Sequence, residues 1–311
     1  MSNPPQSITD SFAEVKQQLI AASLAPSTRD SYLKTWTRFQ NFASQTLKIS
    51  HPPYTSDHIA SYVAFLHTQK YAPATICSHL SAISYFHTLA NFSDPCDNVI
   101  IRRMTLGCKK ISKHNDSRLP FLSSHIHKLI TANEQLHANS PYLQALYKAI
   151  ILLAFFGFFR LGEILPQKSV SSSHVLQFEN ISLQPKHIHV QLLHYKTQKT
   201  DKPLNIHIPA QKPHCPLQAL SNYINFRGRC PGPLFISSVN DPITLSMFRN
   251  VLRNLVIMCD LAPSRFTMHS FRIGACTQAV MAGVPQDKIM LMGRWRSNAY
   301  KRYIRVPDIS L

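Results

Sequence analysis

The sequence predicts a mainly α-helical protein of two domains, with one small antiparallel β-sheet in the second domain. Apolar residues recur at helical spacing through most of the 311 residues, whereas the alternation typical of strands is confined to 174–209. Between the domains, the stretch Lys109–Pro120 is polar and basic, lacks periodicity and ends in proline. We therefore predict a helical domain over 1–113 and a mostly helical domain that contains the sheet over 114–311.

Five helices are predicted in the first domain. Proline is favoured at the first helical position, and a threonine can cap a helix by accepting a backbone N–H bond. Apolar residues three and four positions apart then indicate the face that each helix buries. The predicted helices are Ile8–Leu24, one from Pro26, one capped by Thr55–Asp57, one from Pro73, and one over Asp97–Leu106.

The second domain is predicted to place its strands between two groups of helices. The first group consists of Ser123–Asn133 and Tyr142–Leu165. Three stretches rich in β-branched residues follow, and they predict strands at His174–Leu183, His187–Tyr195 and Leu204–Pro209. The later helices are predicted at Pro216–Arg227, Thr244–Leu261, Met268–Ala282, Asp287–Met292 and Asn298–Tyr303.

Charge and composition restrict the classes of function. The chain carries 33 Lys and Arg against 15 Asp and Glu, a net charge of +18, and hydrophobic residues make up 44%. The hydrophobic content excludes wholesale disorder. Such a basic protein is expected to bind a polyanion, nucleic acid before an anionic membrane surface. The longest apolar run, Ala149–Phe159, is too short to span a bilayer.

Cysteine usage and the N-terminus favour an intracellular protein. The seven cysteines are scattered without a Cys-x-x-Cys pair, which argues against a disulfide framework and against a zinc knuckle. The N-terminus lacks the basic-then-apolar pattern of a secretory signal. We therefore expect a reducing intracellular compartment.

Two groups of residues can bind an anion in the second domain. Arg160 ends an apolar run and is costly to bury unless an anion neutralises it; the alternative is a purely structural pair with Glu163. His269 and Arg272 share a helix face because they are three residues apart, although for such a pair taken alone chance surface placement is the simpler explanation.

Two further groups of basic residues are candidates for function: one in the turn between two predicted strands and one beside two tyrosines near the C-terminus. The turn between the second and third strands contains Lys196, Lys199 and Lys202, which a solvent-exposed hairpin tip explains as well as a phosphate contact does. Near the C-terminus, Tyr300 and Tyr303 lie among cations. A phenol needs positive surroundings to attack as phenolate, but aromatic packing of a C-terminal helix is the simpler alternative.

Taken together and in this order, the four groups resemble the tyrosine recombinase (phage integrase) family. The resemblance covers essentially the whole chain: residues 1–113 resemble the helical, SAM-like core-binding domain and 114–311 the catalytic domain. Most of its specificity lies in the run HSFRIGACTQAVMAGVPQDKIMLMGRWRSNAYKRYIR. The Gly-Arg-Trp-x-Ser-x-Ala-Tyr pattern is most similar to recombinases of eukaryotic DIRS-like and Crypton mobile elements.

The resemblance implies a site-specific DNA recombinase, an enzyme that cuts and rejoins DNA through a 3′-phosphotyrosyl intermediate. It assigns the nucleophile to Tyr303, with Tyr300 as the alternative, and the two phosphate-binding arginines to Arg160 and Arg272. It assigns the general acid to Lys199, with Lys196 as the alternative. It further implies acid–base work for His269, positioning and packing for Trp295, and orientation of Arg160 by Glu163.

The resemblance also implies how the protein works with its partners. It implies no metal and no ATP, and a tetramer that assembles on two double-stranded DNA sites. A eukaryotic host would place it in the nucleus. The predicted DNA contacts are Ser27, Thr28, Arg29, Lys34, His79, Arg102, Arg103, Lys196, Lys202, Arg294 and Arg296. Two alternatives remain: a domesticated DNA-binding protein that no longer cuts DNA, and a monomeric topoisomerase with the same active site.

Overall fold

The fold is mainly helical, with one three-stranded antiparallel sheet, which confirms the predicted fold class. The computed structural model describes residues 6–112, 116–168, 173–195 and 202–305. The chain divides into two units, Met1–Asp116 and Ser117–Leu311. In the described ranges, none of the helices combines the length and the apolar character that a bilayer span requires. All seven cysteines lie in these ranges and are free thiols.

The N-terminal unit consists of helices that begin where local signals start them. The second and fourth helices begin at Pro26 and Pro73, and Thr55 accepts a bond from the His58 backbone amide (3.4 Å) at the start of the third helix. Its core consists mainly of aromatic and branched aliphatic side chains. The helices are α1 (Gln6–Ala22), α2 (Pro26–Phe42, continued by a π-helical turn Ala43–Leu47), α3 (Ser56–Thr68), α4 (Pro73–Leu89) and α5 (Val99–Ile111).

The core of this unit contains His79, so its prediction as a DNA contact is wrong. The side chain is 6% exposed, and its Nδ1 shares a 2.9 Å hydrogen bond with the hydroxyl of Tyr62. Burial lowers the pKa of His79, and the charge of Arg38 lowers it further. Helical periodicity places His79 on the same face as Ile76 and Ile83, which both belong to the core.

We expect the N-terminal unit to lose stability as the pH falls from about 7.5 to about 5.5. The lowered pKa of His79 means that the unfolded chain, with an ordinary histidine pKa of about 6.5, binds more protons than the folded one. Urea unfolding read through Trp36, in a Trp295→Phe background, measures this. The fall should be smaller in His79→Gln, and an equal fall in both chains would contradict the role of His79.

The C-terminal unit surrounds the sheet with helices. Strands β1 (Ile181–Leu183), β2 (His187–Leu192) and β3 (Leu204–Pro209) pair in the order β1-β2-β3, with His189 opposite His207. The helices are α6 (Ser123–Leu136), α7 (Pro141–Phe156), α8 (Leu161–Ile164), α9 (Pro216–Arg227), α10 (Leu245–Met258), α11 (Ser270–Met281) and α12 (Gln286–Met292). Single 3₁₀ segments cover Phe178–Asn180 and Asn298–Tyr303.

The single helix predicted over Tyr142–Leu165 is wrong, because the structure breaks it after Phe156. Phe158 has a positive φ of 52°, and a Cβ on Gly157 would overlap the ring of Phe159. The first predicted strand is also shorter, since only Ile181–Leu183 of it pairs with β2, and Gln177 forms an isolated bridge with Pro233. The break leaves the carbonyl groups of Gly157 and Phe158 outside the helical hydrogen-bond ladder, where other donors can reach them.

Helix α11 lies close to the chain that leads into α6, and Gly274 makes this approach possible. A Cβ at Gly274 would overlap the carbonyl oxygen of Phe121. We expect Gly274→Ala to lower the free energy of unfolding of this unit by about 1–3 kcal/mol, the usual cost of overpacking. Urea unfolding read through Trp295 in a Trp36→Phe background measures the change.

Gly162→Ala is the matched control for this substitution, because its Cβ would meet only Leu245 at 3.9 Å, an ordinary contact. The control should leave stability unchanged or slightly raised. Equal stability of the two variants would show that α11 can shift away from Phe121 at no cost.

Candidate active site

Arg160 is positioned by the break between α7 and α8. It is the residue immediately before α8, and its backbone N–H donates to Oε2 of Glu163 (3.0 Å). Its guanidinium Nη1 donates to Oε1 of the same carboxylate, also at 3.0 Å. The Arg160 side chain is 23% exposed and that of Glu163 only 6%. Glu163 therefore holds both the backbone and the guanidinium of Arg160.

Arg272 lies in the first turn of α11 and is 1% exposed. Its Nη1 donates to the carbonyl of Phe158 and its Nη2 to that of Gly293. Burial lowers the pKa of Arg272, the charges of Arg160 and Arg294 lower it further, and Glu163 and Tyr303 oppose them. An anion bound beside this guanidinium would offset the repulsion from Arg160 and Arg294, so the environment of Arg272 favours anion binding.

Aromatic rings cover the Arg272 guanidinium. Its Cζ lies 4.4 Å from the centroid of the Trp295 ring and 5.6 Å from that of Tyr303. The Tyr303 ring in turn lies 5.0 Å from the ring of Trp295 and 5.1 Å from that of His269. The structure therefore packs Trp295 and Tyr303 against the Arg272 guanidinium and His269 against Tyr303, so it brings together four residues that the sequence spreads from 269 to 303.

The two candidate tyrosines have different surroundings. Tyr300 is 4% exposed, and its ring lies 6.2 Å from that of Trp295. Tyr303 is half-buried, and its backbone carbonyl accepts a 3.1 Å bond from Oγ1 of Thr277 in α11. Tyr303, but not Tyr300, contacts both the His269 ring and the Arg272 guanidinium in the described residues. The phenol of Tyr303 is thus the one presented to the cations.

A cleft of about 700 Å³ opens beside these residues. Arg160, His269 and Arg272 line it together with apolar side chains such as Leu252 and Phe266. Two exposed arginines of α10 also line it, Arg249 and Arg253, and sequence reasoning missed both. In the sequence, the one feature that relates them is their spacing of four residues, which places both on one face of an amphipathic helix.

Lys196 and Lys199, the alternative general acids, lie outside the described residues. Lys202, two residues before β3, is exposed. Six further predicted DNA contacts are also exposed, namely Ser27, Arg29, Lys34, Arg102, Arg103 and Arg296, and Thr28 is half-buried. Arg102 also lies 3.8 Å from the carboxylate of Asp97, a pair so exposed that it leaves the guanidinium accessible.

The prediction of Arg294 as a DNA contact is wrong, because the side chain is buried at 7% exposure. Its Nη2 donates to Oε2 of Glu163 at 2.7 Å, and further bonds reach the carbonyl groups at the end of α7. The surrounding run of basic residues predicts a surface position for Arg294. The ion pair with Glu163, which is distant in the sequence, explains why the side chain is buried instead. No group of three or more His, Cys, Asp or Glu in the described ranges is placed to hold a metal ion.

Family models match both units of the chain. The phage integrase family model matches residues 124–308, and that of the phage integrase N-terminal SAM-like domain matches residues 12–90. No curated protein matches the chain significantly by sequence.

Solved structures share the fold over most of the chain. A lambda integrase dimer bound to a COC′ core site is 13% identical, covers 97% of both chains and has a TM-score of 0.64. The Tn1549 transposon integrase in complex with circular intermediate DNA is 14% identical, covers 94% of this chain and 95% of its own, and has a TM-score of 0.62. XerH recombinase bound to its difH substrate is 15% identical, covers 89% and 76%, and scores 0.60.

Proposed function

Because the chain belongs to the phage integrase family of tyrosine recombinases, we propose that it is an active, site-specific DNA recombinase. It cuts and rejoins DNA through a 3′-phosphotyrosyl intermediate. One observation supports this above all others: Arg160, Arg272 and His269 line one cleft, and the Tyr303 phenol contacts two of them. The arrangement combines a nucleophile, a candidate base and two arginines on one side of one unit.

In the proposed reaction, the Tyr303 hydroxyl attacks the phosphorus of a DNA backbone phosphodiester. A new P–O bond to tyrosine forms and the bond to the 5′-oxygen breaks, while His269 accepts the phenol proton. The departing 5′-oxygen receives a proton from Lys199, a role that rests on the family resemblance. Arg160 and Arg272 hold the non-bridging oxygens, because planar guanidinium groups bind phosphate in two places and offset the negative charge that grows in the transition state.

The phosphotyrosyl bond keeps the energy of the broken phosphodiester, so rejoining needs no ATP. The arginines and the lysine supply the positive charge that a metal ion supplies in other phosphoryl-transfer enzymes. We therefore propose a metal-independent and ATP-independent strand transfer. Trp295, whose indole has a single N–H donor, packs over Arg272 and positions it.

The proposed partner is double-stranded DNA. The net charge of +18 supports this, as do the DNA-bound lambda and Tn1549 integrases that share the fold. Exposed Arg29, Lys34 and Arg296 supply phosphate contacts that position the duplex. Complete strand exchange needs four active sites, so we propose a tetramer on two sites. The Gly-Arg-Trp ending supports a DIRS-like or Crypton element and, in a eukaryotic host, nuclear localisation.

A nicked suicide duplex that carries the DNA flanking the gene tests the activity. Loss of the short fragment that bears the free 5′-hydroxyl traps the covalent intermediate, which denaturing gels detect and peptide mass spectrometry assigns to one tyrosine. Tight binding without an adduct would indicate a DNA-binding protein that no longer cuts. Relaxation of supercoiled plasmids at arbitrary sequences would indicate a topoisomerase. An adduct restricted to the flanking sequence, formed with chelator present, supports the proposal.

A further inference from the structure

Arg294 has a backbone conformation that arginine rarely adopts. Its φ is +58°, in the left-handed region that favours glycine, and it directly follows Gly293. A Cβ at Gly293 would overlap the Trp295 ring, so the residues on either side of Arg294 pack directly against each other. Arg294 takes the left-handed position that ends α12, where the Trp295 amide donates to the carbonyl of Met290 (2.9 Å), and its side chain makes a buried contact from there.

The contact is an ion pair inside the protein. Arg294 Nη2 donates to Oε2 of Glu163 at 2.7 Å and to the carbonyl of Phe158 at 2.9 Å, and Nη1 donates to the carbonyl of Gly157 at 3.1 Å. Both charged side chains are nearly inaccessible, at 3% and 6% exposure. A forked guanidinium thus clamps the carboxylate against the end of α7.

The clamped carboxylate is the one that holds Arg160. Glu163 uses Oε1 for the guanidinium of Arg160 and Oε2 for its backbone N–H, so rotation of the carboxylate would break both bonds. The Phe158 carbonyl that Arg294 contacts also accepts a bond from Arg272. Arg294 does not line the cleft itself. Its effect on the cleft passes through Glu163 and Phe158.

We propose that Arg294 is a positioning residue that fixes Arg160, through Glu163, in the orientation needed to bind the scissile phosphate. The inference rests on the proposed function. It explains why a guanidinium without access to DNA lies within a basic run. Arg160, Arg272, Arg294 and the Glu163 carboxylate together carry a net charge of +2, and of these three arginines Arg160 and Arg272 line the cleft whereas Arg294 does not. The phosphodiester supplies the missing negative charge.

Arg294→Gly tests the proposal because glycine accepts the positive φ and removes only the clamp. We expect single-turnover cleavage of saturating suicide DNA to slow at least about tenfold, since small misplacement of a catalytic group has large effects on rate. The DNA dissociation constant should stay unchanged. Glu163→Gln should add little to the effect of Arg294→Gly, because both act on Arg160, and Arg294→Lys should restore part of the rate.

Asp260→Gly is the matched control, because it removes an exposed charged side chain from another position of positive φ (57°) in the same unit. It should cleave at the wild-type rate. Wild-type cleavage by Arg294→Gly, or a slower rate that only follows a loss of DNA affinity, overturns the proposal. If the wild-type chain forms no adduct, the proposed function fails instead. A crystal structure of Arg294→Gly then decides: a displaced Arg160 guanidinium supports the positioning role, and an unmoved one overturns it.

Discussion

Tyr303→Phe should abolish the covalent protein–DNA adduct and leave DNA binding intact. The substitution removes one oxygen atom, the proposed nucleophile, and leaves the ring that contacts His269, Trp295 and Arg272. Phenylalanine keeps the same packing volume, so the fold should change little. Adduct formation on suicide DNA measures the effect, and fluorescence anisotropy with intact duplex measures binding. We expect no adduct above background and a dissociation constant close to that of the wild type.

Tyr300→Phe is the matched control, because the same atom is lost three residues away. Tyr300 is almost fully buried, and in the described residues it contacts the Trp295 ring but neither His269 nor Arg272. The variant should therefore form the adduct. The opposite result, an adduct in Tyr303→Phe and none in Tyr300→Phe, would transfer the nucleophile to Tyr300 and require the 3₁₀ segment to rearrange when DNA binds.

Helix starts could be predicted from the sequence because local residues determine them. Pro26 and Pro73 stand at first helical positions, and Thr55 forms its cap with a residue three positions away. The break after Phe156 could not be predicted in the same way. The run from 149 to 159 is apolar throughout, and Phe158 rather than a glycine takes the left-handed position that ends the helix. Arg272 and Arg294 then bond to the carbonyl groups of Gly157 and Phe158, which this end leaves free.

The candidate site was accessible from the sequence only through the family resemblance. Arg160 and Arg272 are 112 positions apart, and no periodicity relates them. Glu163 and Arg294 are 131 positions apart, and the local run of positive charge predicts the surface for Arg294. The structure buries it because one carboxylate and three carbonyl groups together replace its hydration. A local run of positive charge in the sequence therefore does not distinguish arginines that bind DNA from arginines that position other side chains.

Arg272→Lys should reduce single-turnover cleavage by about a hundredfold to a thousandfold, the usual effect of losing one transition-state donor. Lysine keeps the positive charge but lacks the planar fork that bonds Phe158 and Gly293 at once and stacks against Trp295. A carbonyl left without a donor should also lower the free energy of unfolding by about 1–3 kcal/mol. Quenched-flow cleavage and urea unfolding measure the two effects.

Arg229→Lys is the control for this substitution, because Arg229 is exposed and does not line the cleft. It should retain both the cleavage rate and the stability of the wild type. Near-normal cleavage by Arg272→Lys would show that a point charge is sufficient at this position, so that Arg272 acts on the phosphate by Coulomb attraction alone. A loss of DNA affinity as large as the loss of rate would instead place its contribution in substrate binding, because a group that acts only in the transition state lowers the rate at saturating DNA.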